Sequence, residues 1–446
     1  MSNRGIESTR FCRKGCGAIG LLAGLLLVGL PSALSAQVAL PQLNYRADFD
    51  FFWTTIRDHY AYFDRKQTDW NLVRTTYQPQ ADTIRSRRAF IRLLEKALSE
   101  LYDNHASLST NRLDSRRLVP TGSDIAAEWA HGQAQVLDVR PGYGAARTGV
   151  RPGMRVMAIN GLPVAQAIQP FLPRCLRQAD PAAYTFALNQ ALAGDHVTPR
   201  QLTLTTAHGT LMVRPDEHGS QLEHSHSSTR LTVARYGHIG YLKINNSLGD
   251  DQLIAAFDSA LNTLRDTQGL VLDLRETPSG GNTSVARAIM GRFITRERPY
   301  QKHELPAEER ETGIRRSWLE LVSPRLPTYS APLVVLAGRW TGSMGEGLTV
   351  GFDALQRATV VGTPLARLAG AVNDYTLPHS GISFNIPFER LYLVNGQPRE
   401  QYVPSKQLNL VQTLPLGPST DIGLNTSLAL LKSTTPTRKT SKIHRL

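Results

Sequence analysis

One serine stands where the local structure could make its hydroxyl a nucleophile. The apolar run 333–336 predicts a short strand buried on both faces, and a glycine-containing turn, 338–342, follows it. Apolar residues at helical spacing come next, so Ser343 should lie at the start of a helix, where unpaired N–H groups favour a developing oxyanion. The alternative is a capping box, in which Ser343 only caps the helix and Glu346 follows three residues later.

A histidine in the first third of the chain is the other candidate for acid–base chemistry. His105 closely follows an apolar stripe, 90–101, that predicts a helix, and turn-forming residues surround it. An imidazole titrates near neutral pH, so His105 could accept a proton from a serine hydroxyl. The alternative is a loop histidine satisfied by local hydrogen bonds.

The overall composition is that of a globular protein with a basic excess. The formal net charge is +13 over 446 residues, and this length leaves room for two or three domains. The excess is diffuse and we see no nucleic-acid-binding motif, so loose contact with an anionic membrane surface is the expected interaction. His224 and His226 have no third ligand nearby, and we expect neither a metal site nor an organic cofactor.

The first 36 residues have the layout of a secretory signal peptide. Basic residues precede an apolar run from about 18 to 30, and small residues at 33–36 follow it. A retained membrane anchor is the alternative, although the run is short for a bilayer span. A signal peptide predicts secretion across the inner membrane into the periplasm. Its removal would leave Cys175 as the single cysteine, so we expect no internal disulfide.

The remaining chain divides into segments of different composition. They are a helical domain (37–117), a region of short strands and turns (118–216), a linker (217–230), an α/β domain (231–432) and a basic disordered tail (433–446). In the α/β domain, alternating strands and helices imply parallel pairing and a site at the carboxyl ends of the strands. A stretch rich in charge and proline before residue 331 reads as irregular, and the segment 166–198 reads as an insertion without an assigned role.

Four motifs occur in a fixed order along the chain. They are Asp103-Asn104-His105 after the helical start, a PDZ-like order of strands and turns, an LDLR sequence at 272–275 followed by PSGGN at 278–282, and Ser343-Met344-Gly345-Glu346. Over roughly residues 40–410 the chain therefore resembles the C-terminal processing (tail-specific) peptidases and the related tricorn core. The resemblance implies an α/β core of the crotonase/ClpP type, an N-terminal helical segment and an inserted, mostly-β PDZ-like domain.

The same resemblance implies a serine endopeptidase that hydrolyses unstructured or C-terminal segments of envelope proteins. Its polypeptide substrates would bind by their C-termini as a strand added to the PDZ-like domain. Backbone N–H groups of Met344 and of Gly280 or Gly281 would hold the oxyanion. The alternative for both glycines is a simple strand–helix turn. The oligomeric state is open.

One departure from the resemblance concerns the general base. Tail-specific peptidases place a lysine about 25 residues after the serine, and this spacing falls on Leu368, which cannot take a proton. The tricorn-like branch uses a histidine from the N-terminal part and a distant glutamate, so the resemblance assigns His105 as base and Glu400 as its support. The residues that could orient the imidazole are Asn104, Ser107 and Asp103.

Two other functions remain open. A non-catalytic peptide- or ligand-binding protein on the same fold is favoured by the absent lysine, whereas the retained serine, histidine and paired glycines favour the peptidase. An enoyl-hydratase-like enzyme of similar fold is the third interpretation, but such sites do not need a serine at this turn.

Overall fold

The computed structural model describes residues 44–206, 209–217, 229–410 and 421–434. The predicted signal peptide, most of the linker with His224 and His226, and nearly all of the basic tail lie outside these residues. Within the described part of the chain, no helix is both long enough and apolar enough to cross a bilayer.

Helices and strands alternate through most of the described chain. The helices are α1 (Tyr45–His59), α2 (Trp70–Thr83), α3 (Arg87–Ser99), α4 (Gly144–Arg147), α5 (Val164–Ala167), α6 (Pro181–Ala193), α7 (Gln252–Thr263), α8 (Thr283–Gly291), α9 (Pro306–Thr312), α10 (Met344–Ala354) and α11 (Ile422–Thr434). Short 3₁₀ turns occur at Phe63–Arg65, Gln169–Phe171 and Arg399–Gln401.

The strands form three sheets. They are β1 (Ser107–Leu108), β2 (Ile125–Ala130), β3 (Gln133–Val139), β4 (Arg155–Ile159), β5 (Leu162–Pro163), β6 (Leu202–Thr206), β7 (Gly209–Val213), β8 (Leu231–Tyr236), β9 (Ile239–Ile244), β10 (Gly269–Asp273), β11 (Arg298–Glu304), β12 (Ser317–Val322), β13 (Leu333–Ala337), β14 (Ala358–Gly362), β15 (Ala371–Thr376), β16 (Ser383–Tyr392) and β17 (Lys406–Gln407).

The central sheet of the α/β domain has the order β17-β14-β13-β10-β9-β8, and only β8 pairs antiparallel. Strands β10 and β13 are buried along their whole length, as the continuous apolar run predicts for β13. Because β10 and β13 are parallel neighbours, their following loops lie side by side. Thr277 joins these loops, since its N–H donates to Trp340 O at 3.1 Å and its carbonyl accepts from Gly342 N at 3.2 Å.

A second sheet connects the helical segment to the α/β domain. Its strand β16 pairs with β1, β11 and β15. The helices α1–α3 pack their apolar side chains against this sheet, where Phe52 meets Phe384 with ring centroids 4.9 Å apart. Strand β1 begins two residues after His105, so its pairing with β16 places that histidine in space.

The stretch that the sequence suggests is irregular contains two strands of this second sheet. Strands β11 and β12 pair antiparallel, with α9 between them. Pattern analysis misses them because the buried side chains of β11 carry polar groups, several of which bind partners. His303, for example, has Nδ1 2.8 Å from Glu389 Oε2 and its ring stacked on Trp318.

The PDZ-like region forms the third sheet, with the antiparallel order β2-β3-β4-β6-β7 and β5 on β4. Helix α6, from the segment interpreted as an insertion, lies along the edge strand β2. Its buried residues contribute to the core of this region. The insertion is therefore an integral part of the sheet's packing.

Candidate active site

Ser343 lies on a strained turn between β13 and α10. Its backbone has φ 50° and ψ −113°, a conformation that costs free energy in any residue other than glycine and that is concentrated at functional sites. The Ser343 N–H donates to Glu346 Oε2 at 2.9 Å, so the capping contact is present as well. The cap fixes the backbone, and the strained turn presents the hydroxyl.

The structure brings His105 to this hydroxyl. His105 Nε2 lies 3.1 Å from Ser343 Oγ, and His105 Nδ1 lies 2.7 Å from Ala369 O. A carbonyl oxygen only accepts hydrogen bonds, so Nδ1 must carry the proton and Nε2 presents its lone pair to the serine. Burial lowers the pKa of His105, against the opposing effects of the Ala369 carbonyl and Asp103. The imidazole is therefore held neutral in the tautomer that a general base requires.

The three residues suggested as orienters of the imidazole instead fix the backbone around it. Asp103 accepts from His105 N at 2.9 Å and from Tyr60 OH at 2.7 Å. Ser107 N and Oγ donate to Asn385 Oδ1 on β16 at 3.0 and 2.9 Å. Asn104 accepts from Gln190 on α6. Within the described residues, none of these three side chains is hydrogen-bonded to the imidazole ring.

The partner of His105 Nδ1 was missed by sequence reasoning. Ala369 belongs to the loop 366–370, which also contains Leu368, the position that the resemblance gives to a lysine. The Leu368 side chain is buried and packs close to Gly342, immediately before the serine. A backbone carbonyl has no residue-type signature, so only the tertiary structure could identify this acceptor.

The structure does not bring Glu400 into hydrogen-bonding contact with His105. Glu400 Oε1 accepts from Arg65 at 2.6 Å, and its Oε2 is buried without a partner among the described residues. The hydroxyl of Tyr62 is also buried without a hydrogen-bond partner among the described residues. Burial and the neighbouring Glu400 carboxylate both raise its pKa. An indirect supporting role of Glu400 stays a prediction.

The glycine loop after β10 faces the serine closely. Gly280 has φ +66°, and a Cβ placed on it would lie 2.4 Å from Ser343 Cβ and 2.9 Å from Met344 N. The Gly280 N–H donates to Thr277 O at 3.1 Å. Within the described residues, the N–H groups of Gly281 and Met344 have no acceptor. Of the two glycines, Gly281 is thus the better oxyanion donor, together with Met344.

No metal site accompanies these groups in the described residues, since no three or more His, Cys, Asp or Glu side chains are arranged to hold an ion. Cys175 is buried and unpaired with another cysteine, at 3.7 Å from Thr76 Oγ1. Neither observation adds a further reactive group to the site.

Comparison with known proteins finds two family matches in this chain. The model of peptidase family S41 matches residues 238–404, and that of the tricorn protease C1 domain matches residues 41–99. Tricorn protease homolog 1 of Streptomyces coelicolor is 24% identical over 351 residues, which cover 73% of this chain and 29% of that relative. The match thus spans less than a third of that relative's length.

Two solved structures share the fold. Mature CPAF has a TM-score of 0.59 at 16% identity and covers 88% of this chain and 98% of its own. The photosystem II D1 C-terminal processing protease has a TM-score of 0.51 at 17% identity and covers 82% of this chain and 94% of its own. At 16% and 17% sequence identity, these two similarities show a shared fold.

The chain is thus similar to the tail-specific peptidases of family S41 over residues 238–404 and to the tricorn C1 domain over residues 41–99. The predicted family and the predicted α/β class with an N-terminal helical segment are confirmed. The serine-type peptidase class is supported by the same family match.

We predict that Gly280→Ala impairs Ser343 specifically. The added Cβ would displace the serine or the Met344 amide, and a misplacement of about 1 Å can lower reactivity roughly a hundredfold. The rate of Ser343 labelling by a fluorophosphonate probe measures the effect.

Gly237→Ala is the matched control, because Gly237 has φ +64° and open space around its added Cβ. It introduces the same backbone strain without the contact. Equal labelling rates in the two variants would show that Gly280 does not shape the serine.

Proposed function

We propose that this protein is a serine endopeptidase of the tail-specific type that uses histidine as its general base. One observation carries the proposal: His105 Nε2 lies 3.1 Å from Ser343 Oγ, with the Nδ1 proton directed to a carbonyl. The match of residues 238–404 to peptidase family S41 supports it. The strained backbone of Ser343 is a further feature typical of an activated nucleophile.

The mechanism follows from these positions. Ser343 Oγ attacks the peptide carbonyl carbon while His105 Nε2 takes its proton, and the N–H groups of Gly281 and Met344 stabilise the oxyanion. The C–N bond then breaks as His105 returns the proton to the leaving amine. Water, deprotonated by the same imidazole, releases the acyl group. The Ala369 carbonyl stabilises the imidazolium formed in each half-reaction.

The missing lysine is consistent with this mechanism. A lysine base would need a lowered pKa to accept a proton at neutral pH, whereas a neutral imidazole accepts one directly. Leu368 in that position is buried beside Gly342. Leucine places no ionisable group at this position.

The substrates that we propose are unstructured or C-terminal segments of envelope proteins, cleaved after secretion into the periplasm. The basic start and apolar run of the first 36 residues support secretion. The net charge of +13 favours loose contact with anionic membrane surfaces. A fluorescently labelled, unstructured peptide is the appropriate first substrate.

Binding of peptide C-termini by the PDZ-like region requires a free strand edge, and in the structure α6 occupies the edge of β2. Asn189 accepts from Ala127 N at 3.0 Å and donates to Ala127 O at 2.7 Å. Trp129 N donates to Thr185 Oγ1 at 3.2 Å. These side chains take the hydrogen bonds that an added strand would make. Peptide addition at β2 would therefore require α6 to move.

We predict that Ser343→Ala and His105→Ala each abolish cleavage of the unstructured peptide while the protein stays folded. Removing either the nucleophile or the base of such a pair costs several orders of magnitude in rate. Peptide fluorescence measures cleavage, and circular dichroism measures folding.

The matched controls are Ser317→Ala and His238→Ala, at exposed positions outside the site. Cleavage that survives in His105→Ala would reject this base. A folded wild type that neither cleaves peptides nor reacts with the probe at Ser343 would favour the non-catalytic binding protein.

The rate of cleavage should depend on the protonation of His105. Burial lowers the pKa of this imidazole below its ordinary value of 6.5, and the base must be neutral to act. Activity should therefore be retained as pH falls to about 6.5 and be lost at lower pH as His105 takes up a proton. A pH profile of kcat/KM that loses activity only above neutral pH would contradict this assignment.

We also predict that Asn189→Ala increases the affinity of the PDZ-like region for a peptide with a free, apolar C-terminus. The change removes two hydrogen bonds that hold α6 against β2, so that α6 can move away more easily and the N–H and carbonyl of Ala127 can pair with an added strand. Fluorescence anisotropy with the Ser343→Ala protein measures binding without cleavage, and we expect at least a tenfold gain.

Gln190→Ala is the control for this prediction, because Gln190 lies on the same helix and contacts Asn104 rather than β2. A wild-type protein that binds the peptide as tightly as the Asn189 variant would show that α6 does not close the edge.

A further inference from the structure

The loop that holds the acceptor for His105 is fixed from one side by a buried carboxylate. Glu346 accepts from Arg367 N at 2.9 Å and from Leu368 N at 3.2 Å. The same carboxylate accepts from Ser343 N. Glu346 therefore joins the backbone of the nucleophile to the backbone of the loop 366–370.

A buried arginine fixes the same loop through its carbonyl groups. Arg399 Nη2 donates to Leu368 O at 3.2 Å and to Gly370 O at 3.0 Å. These two carbonyls flank Ala369, whose own carbonyl accepts from His105 Nδ1. The guanidinium also lies 3.7 Å from Glu346 Oε2, so the two charges partly neutralise each other.

We propose that Glu346 and Arg399 are positioning residues for the reaction, which hold the loop 366–370 so that the Ala369 carbonyl keeps His105 in its reactive tautomer and orientation. This inference rests on the proposed peptidase function. Neither side chain touches the reacting atoms, and both act through the loop backbone. The segment in which the resemblance expects a catalytic lysine thus contributes a carbonyl in its place.

The burial of both charges supports a positioning role. Glu346 is completely buried and Arg399 is 2% exposed. Buried ion pairs recover little more than the free energy that their desolvation costs, so they add little to stability compared with apolar packing. Burial raises the pKa of Glu346 to about 7, although Arg399 and the backbone N–H donors oppose this change. What the pair does provide is a fixed geometry for the loop.

The loop needs such restraint because its own backbone is not in a regular conformation. Arg367 has φ +61°, which is unfavourable for a residue with a side chain. Loop 366–370 precedes β15 and has no ladder hydrogen bonds of its own. Without Glu346 and Arg399, the orientation of Ala369 would depend on a strained segment.

The experiment compares Arg399→Lys with Arg399→Met in the full chain. The lysine keeps the positive charge but carries it on a shorter, flexible stem without a planar guanidinium, so it should hold the two carbonyls less firmly. We therefore expect kcat to fall about tenfold with KM nearly unchanged, because the Ala369 hydrogen bond is strongest when the imidazolium forms. Methionine removes the charge too. Since the Ala369 carbonyl raises the pKa of His105, a loosened loop should lower that pKa in Arg399→Lys, whereas in Arg399→Met the loss of the charge, which itself lowers the pKa, opposes this change.

An NMR titration of the His105 imidazole measures this pKa without requiring activity. Glu346→Gln tests the other half of the pair and should also lower kcat, because its amide nitrogen cannot accept the backbone N–H groups. Arg292→Lys is the control, since Arg292 is as buried as Arg399 and binds a carboxylate and a carbonyl at the far end of α8. We expect its kcat to stay within twofold of the wild type.

The outcomes separate the two proposals. A folded wild type without Ser343-dependent cleavage would reject the peptidase, whereas the NMR titration would still decide whether Arg399 acts on His105. An active wild type in which Arg399→Lys and Glu346→Gln keep their kcat, or in which Arg399→Lys leaves the His105 pKa unchanged, would overturn the positioning role. Should Arg399→Met fail to fold, the kcat of Arg399→Lys decides the matter.

Discussion

The hydrogen bond between His105 and Ser343 is the contact on which the rest of the structure depends, because it joins groups 238 positions apart in the chain. One partner follows the helical segment, and the other follows a buried strand of the α/β sheet. A contact of this kind cannot be held by its own hydrogen bond, which contributes only about 1 kcal/mol. Strand β16 supplies the remaining constraint, since it pairs with β1 beside the histidine and with β11 of the α/β domain.

The parts of the site that local physics determines could be predicted from the sequence. A continuous apolar run, a glycine turn and a helical stripe were enough to place Ser343 at the start of α10, and the order of motifs was enough to identify the family. The partner of His105 Nδ1 could not be predicted, because Ala369 contributes only its backbone oxygen. Arg399 was missed for a related reason. Its guanidinium binds backbone carbonyl groups, which leave no signature in the sequence.

Strands β11 and β12 show a second limit of pattern analysis. Alternation of apolar and polar residues identifies a strand only when one face of the sheet is apolar and the other is exposed to solvent. In β11, the buried positions include His303 and Glu304, whose charges are balanced by neighbours such as Glu389 and Lys302. Tertiary pairing thus allows polar residues in the sheet that orients the histidine. At the edge of β2, a polar side chain likewise has a tertiary partner, since the Asn189 amide binds the backbone N–H and carbonyl of Ala127.

With His105 as the proposed base, the loop after β14 has a different task from the one that it would have in a lysine-based peptidase. A lysine is itself the proton acceptor and needs room for a flexible stem, whereas an imidazole from another element needs a fixed acceptor for its second nitrogen. The loop meets the second requirement with a carbonyl, so its side chain at Leu368 is free to pack beside Gly342. A carbonyl is only as well oriented as its backbone. The buried carboxylate and guanidinium contact the two sides of that backbone, and by our proposal they keep the carbonyl directed at His105.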